Sequence, residues 1–188
     1  MSARRAAIRR ERAQRAKAEK SKAPEGKLER ARQRGIIDGR AIASSVILEL
    51  LHDRYRFSNK KVQELLDFAG KESTKYDQEG TRFVMEYYAG KLSEKINTVE
   101  VYQEMKDIET QVYCVARDDL FVSAAAIMFD ALNELYGFSS FGTGTGRLDY
   151  IMEYCVNRYI EVQLDSEHKT ADYYFKRMTR KTGYEIAY

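Results

Sequence analysis

The sequence predicts an all-α protein, in which two related three-helix units pack together behind a basic N-terminal arm. Three observations lead there. One proline, 11 glycines and 32% charged residues in 188 positions favour helix over strand. Apolar residues recur at i, i+3, i+4 and i+7 along most of the chain. Stretches of the first half also return, in the same order, in the second.

The opening "MSARRAAIRRERAQRAKAEKSKAPEGK" is built from Ala, Arg, Lys and Glu. These are strong helix formers, but they leave no apolar stripe to bury. Such a segment is only marginally helical in water and would order on a partner. Pro24 and Gly26 punctuate its end. The division expected is therefore an arm over 1–26, a first helical unit over 27–97 and a second over 98–188, the two units sharing a core.

In the first unit Ala41, Ile42, Val46, Ile47, Leu50, Leu51 and Tyr55 fall on one helical face. "RFSN" interrupts it, Ser58 suits an N-cap, and Val62, Leu65, Leu66 and Ala69 restart the period. "TRFVMEYYAGKLSEKI" supplies a third helix through Phe83, Val84, Tyr87, Tyr88 and Leu92. Asn97 followed by Glu100 has the form of a capping box opening the second unit. Neither Gly nor Pro occurs between 98 and 136. One helix over that span would run about 58 Å, too long for a compact domain, so a break is expected at Arg117–Asp119. Leu148, Ile151, Met152, Cys155, Tyr159 and Ile160 form the next stripe, and Thr170 is expected to start a closing helix over "TADYYFKRMTRKTGYEI".

The repeat has a definite register. "LLHDRYRFS" (50–58) lies over "ALNELYGFS" (131–139), matching Leu51 with Leu132, Tyr55 with Tyr136, Phe57 with Phe138 and Ser58 with Ser139. "LLDF" (65–68) then meets "RLDY" (147–150), and "EYYAGKLSEK" (86–95) meets "DYYFKRMTRK" (172–181). The drift in offset is what length changes in loops produce. In this register "SSFGTGTG" takes the place of a helix connection. Gly142, Gly144 and Gly146 alternate after a helix, whereas a dinucleotide fingerprint follows a strand. Gly137 and Gly142 have the outer spacing of a P-loop, but Thr143 stands where its lysine should be. A turn that delays the second helix is the expectation.

Candidate chemistry is sparse. His52 and His168 are the only imidazoles, and Cys114 and Cys155 the only thiols, with no zinc-ligand spacing among them. Cys155 lies on an apolar stripe, as a buried structural thiol does. Asp118 and Asp119 point about 100° apart on a helix and cannot converge on one ion unaided. Asp67 and Asp149 recur at equivalent sites as polar faces. The doublets Tyr87/Tyr88 and Tyr173/Tyr174 suit burial with the hydroxyl reaching water. No enzymatic activity, cofactor or metal is expected.

Charge carries the clearest functional signal. Residues 1–34 hold 13 Lys/Arg against 4 Asp/Glu, a balance of +9, and the rest hold 19 against 25, a balance of −6. Arg4, Arg5, Arg9, Arg10, Arg12, Arg15, Lys17 and Lys20 are the candidate nucleic-acid-binding residues, neutralising phosphates of DNA or RNA in a salt-dependent way. An acidic body would not wrap nucleic acid, but it could dock on a host nucleic-acid-processing protein. No run of eighteen apolar residues predicts a membrane span, and the arm lacks the apolar segment of a secretory signal. It is Arg-rich like a mitochondrial transit peptide but has almost no large apolar residues. Two cysteines without a framework suit a reducing cytoplasm. Homo-oligomerisation is left open.

The opening "MSARRAAIRRE", then "ILELLHDRYRFSNKKVQELLDF", and the close "TADYYFKRMTRKTGYEI" resemble small uncharacterised helical proteins of phages and prophages of Gram-positive bacteria. Those proteins are similar in opening with a basic run, setting an apolar helix before a "D-K/R-Y/F-x-F" turn followed by lysine or arginine, and ending in a short helix. This chain departs by carrying the unit twice and by having the glycine loop instead of Lys60 and Lys61 in the second copy. The resemblance brings no active site with it. It implies a phage accessory or regulatory protein in the cytoplasm of a bacterial host, with an anti-defence inhibitor as the alternative.

Overall fold

The computed structural model describes residues 25–79, 83–96, 107–139, 146–164 and 171–184. Six helices account for nearly all of them, with no strand among the described residues: α1 Glu25–Tyr55, α2 Asn59–Glu79, α3 Phe83–Ile96, α4 Ile108–Tyr136, α5 Arg147–Leu164 and α6 Ala171–Thr182. The all-α expectation is met.

Helix α1, described from Glu25, takes in Glu25 and Gly26 from the end of the expected arm. Its run Ala41–Leu51 is buried all round, which requires neighbours on every side. The nearest is α4. The Tyr113 carbonyl, the Arg117 amide and the Ala116 methyl crowd the space where Gly35 would carry a Cβ. Arg117 and the Phe121 amide do the same at Gly39. Glycines four apart therefore let two helix backbones touch, at an i, i+4 spacing that puts both on one face. Contacts advance together along both chains, from Arg34 with Glu109 through Asp38 with Tyr113 to Tyr55 with Phe138. The two long helices are thus parallel neighbours.

Helix α4 corrects the expected break. It runs unbroken through Arg117–Asp119. The length objection is met at the other end, because Asp107 caps the helix by accepting from the Glu109 and Thr110 amides. Its 29 residues span about 44 Å, close to the roughly 46 Å of α1. The proposed caps Asn97 and Thr170 lie outside the described residues. At the start of α2 the Ser58 carbonyl accepts from the Val62 amide, so Ser58 occupies the N-cap position.

Helices α2 and α3 pack on α4, while α5 and α6 pack on α1. One continuous hydrophobic cluster results, from Ile47 on α1, Leu65 on α2, Tyr88 on α3 and Phe129 on α4 to Leu148 on α5 and Met178 on α6. Each half thus closes its core on the long helix of the other.

This geometry is compatible with two related units. Leu51 and Leu132 are fully buried, as are Leu92 and Met178, and Tyr88 and its counterpart Tyr174 are both buried. Phe57 and Phe138 each donate an amide hydrogen to the carbonyl six residues back, at 3.2 Å in both halves. The rings then exchange: Tyr55 meets Phe138 at 5.1 Å and Phe57 meets Tyr136 at 4.9 Å between centroids. In the second helices burial pairs Leu65 with Leu148 and Ala69 with Met152. That is one residue away from the alignment of Leu65 with Arg147.

Candidate nucleic-acid interface

Arg4, Arg5, Arg9, Arg10, Arg12, Arg15, Lys17 and Lys20 lie outside the described residues. The last stretch of the basic segment is described, and it is the first three turns of α1. Lys27, Arg30, Arg32 and Arg34 are exposed there, while Ala31 and Gly35 turn inward. Arg34 reaches across to Glu109 at 3.4 Å, an exposed pair that fixes little. Lys27, Arg30 and Arg34 share one face by their i, i+3, i+7 spacing.

The polar groups inside the body serve packing. Asp118 is 1% exposed. It accepts from the Tyr159 hydroxyl, from Arg117 Nε at 3.1 Å and from Gln163 Nε2 at 3.0 Å. Arg117 Nε also donates to the Tyr159 hydroxyl at 3.2 Å. Burial and the neighbouring Asp118 carboxylate hold the Tyr159 phenol well above its usual range. A carboxylate so enclosed offers a substrate no approach, and its neighbour Asp119 is exposed on a different face, as the helical angle requires.

A second buried carboxylate, Glu49, is 5% exposed and takes Arg177 at 3.0 Å and Lys181 at 2.5 Å. Lys181 also reaches Asp53 at 3.1 Å. In the repeat register Glu49 corresponds to Asp130, which is also buried, on the opposite long helix. The sequence signal was present but unread. Each is a lone acid in a long apolar run, "SSVILELL" and "AAAIMFDAL". Such an acid needs polar partners brought to it, and for Glu49 the cations of α6 supply them.

Cys114 and Cys155 are both buried free thiols, as Cys155's stripe suggested. Burial pushes both thiols up, so they stay protonated and unreactive. His52 contacts Asp53 at 3.1 Å, and His168 lies outside the described residues. Among the described residues no three His, Cys, Asp or Glu side chains are grouped to hold a metal ion. Gly142 and Gly144 also lie outside them. Gly137 caps α4 at φ 61°, in the left-handed region that glycine adopts without strain. The Gly146 amide donates to Asp149 at 3.3 Å. Asp67 accepts from Gln63 at 2.7 Å on the surface. Of the tyrosine doublets, Tyr88 and Tyr174 are buried, and Tyr173 is 41% exposed. Among the described residues no helix is long and apolar enough to cross a membrane.

Compared with models of known protein families, with curated proteins and with solved structures, the chain gives no match.

Proposed function

We propose that this is a non-enzymatic accessory or regulatory protein of phage type that contacts nucleic acid, or a nucleoprotein complex, through residues 4–34. The observation that carries this reading is the charge division, +9 over residues 1–34 against −6 over the rest. The exposed Lys27, Arg30 and Arg32 on α1 support it by continuing the basic character onto a rigid element. Phosphate neutralisation supplies affinity without base preference, and the helical body supplies docking or self-association.

The test is fluorescence anisotropy with labelled duplex DNA, single-stranded DNA and RNA across a salt series. In one variant Arg4, Arg5, Arg9, Arg10, Arg12 and Arg15 are all changed to Gln. Six lost phosphate contacts lower the slope of log affinity against log salt by about 5 on duplex DNA. An unchanged slope and affinity would end the arm reading.

The excess acid of the body supports a second reading, an inhibitor that occupies the basic channel of a host nucleic-acid-processing protein. A host protein recovered after nuclease treatment, and retained by the Gln variant, would favour it over the first.

A further inference from the structure

We propose that the turn joining α1 and α2, with Arg147 and Tyr150 of α5 beside it, is a second nucleic-acid contact built into the acidic body, fitted to the phosphate backbone. The proposal deepens the nucleic-acid reading but uses none of the arm's residues.

The turn reads "RYRFSNKK" over 54–61 and holds four cations and no carboxylate. Arg54, Arg56, Lys60, Lys61 and Arg147 are all exposed. Among the described residues the side chains of Arg56 and Arg147 make no ion pair or hydrogen bond, and Lys60 stands 4.0 Å from Glu64 with its side chain 86% exposed. These charges are therefore little neutralised by the protein itself. Aromatic rings hold several of them in place. The Arg54 guanidinium lies 4.0 Å over the Tyr150 ring and donates to its hydroxyl at 3.3 Å. Lys61 lies 5.4 Å from the Phe57 centroid and Arg147 5.1 Å from that of Phe138. Cations positioned on rings lose less freedom when they bind an anion. Tyr150, with Arg54 over one ring face, is 39% exposed and is the ring among these that a base can reach.

Ordinary helix electrostatics does not explain the set. A cation at the C-terminal end of α1, such as Arg54, complements the helix dipole. Lys60, Lys61 and Arg147 sit instead in the first turns of α2 and α5, where the dipole disfavours positive charge. Arg56 is also costly. It holds φ 54°, while the second half has Gly137 at φ 61° in the matching place. A non-glycine residue is strained there, so the fold alone would favour glycine. Charge complementarity favours a polyanion, and the partly exposed Tyr150 ring beside these cations favours nucleic acid over an acidic peptide.

The experiment uses the full chain, a labelled 20-base-pair duplex and a salt series, with thermal melting of each variant. Arg56→Gly separates the roles, because relief of strain leaves the melting temperature equal or higher while the lost cation weakens binding about 3- to 10-fold at low salt. Adding Lys60→Gln and Lys61→Gln lowers the salt slope by about 2.7 in total. That loss adds to the loss from the arm variant, since the two sets share no residue and each removes its own phosphate contacts. A triple variant that binds as the unaltered chain does, while the arm variant fails, overturns this proposal and leaves the arm reading standing. The reverse pattern overturns the arm reading and keeps this one. If the triple variant loses only a poly-glutamate peptide and keeps the duplex, the occupant is an acidic protein segment and the proposal falls. No binding by the unaltered chain at low salt overturns both.

Discussion

Tyr159 shows how a buried charge is tolerated in this body. Its ring stacks on Phe121 at 3.9 Å, while its hydroxyl serves the Asp118 carboxylate. Tyr159→Phe keeps the stacking and removes one donor from a buried anion, which costs about 1–3 kcal/mol. Chemical denaturation reads this directly; an unchanged midpoint would show that Arg117 and Gln163 suffice. The Glu49 cluster predicts a pH profile. The His52 hydrogen bond, joined by Lys181, holds Asp53 below its ordinary 3.8. Its contribution is present above that value and is lost as pH falls through the lower folded value. Lys181 is held above its ordinary 10.5, chiefly by its bond to Glu49. Its contribution is present below 10.5 and is lost as pH rises through the higher folded value. Melting temperature measured against pH should therefore fall at both extremes. In Lys181→Met the alkaline limb should shrink but persist, because the buried Cys155 thiol and Tyr159 phenol are also held up and lose their contribution as pH rises, while the acid limb shrinks but persists because His52 still bonds Asp53. An alkaline limb of unchanged size would refute the assignment.

At the scale of elements, the contact of α1 with α4 depends on two missing side chains. Alanine is intrinsically better than glycine in a helix by about 1 kcal/mol. At Gly70, where a Cβ meets nothing within 4 Å, Gly70→Ala should stabilise by about 0.5–1 kcal/mol. At Gly35 the added methyl would stand 2.9 Å from the Arg117 amide nitrogen, against backbone that cannot step aside. Gly35→Ala and Gly39→Ala should each destabilise by about 1–3 kcal/mol despite the gain in propensity. Equal signs at Gly35 and Gly70 would mean that the helices have room to separate.

For the whole molecule, the exchange of helices between halves forbids independent unfolding. Removing α5 and α6 from α1 strips the core of the first half, and removing α2 and α3 from α4 strips that of the second. Heating should give one transition, with calorimetric and van't Hoff enthalpies equal. Leu51→Ala and Leu132→Ala, at equivalent buried sites in opposite halves, should each lower that same transition, by about 2–5 kcal/mol. Two resolved transitions, each moved by one substitution only, would show the halves to be separate folding units.

The helical period, the near absence of proline and the recurrence of "Y-x-F-S" made the fold class and most helix positions legible in the sequence, because burial of a stripe is a local demand on spacing. Cys155 on its stripe was legible for the same reason. The unbroken course of α4 was not, because what makes Asp118 acceptable inside is a tyrosine and a glutamine brought from α5. Nor did the glycine pair at 35 and 39 announce itself, since only a second backbone at close range gives it meaning. The basic turn stood in plain view as residues, yet its cations became one surface only when Tyr150 and Arg147 were folded against it. By itself the sequence determined which segments are helical and how charge divides along the chain. Tertiary structure decided which half each helix serves, since local periodicity names the face to be buried but not the partner that buries it.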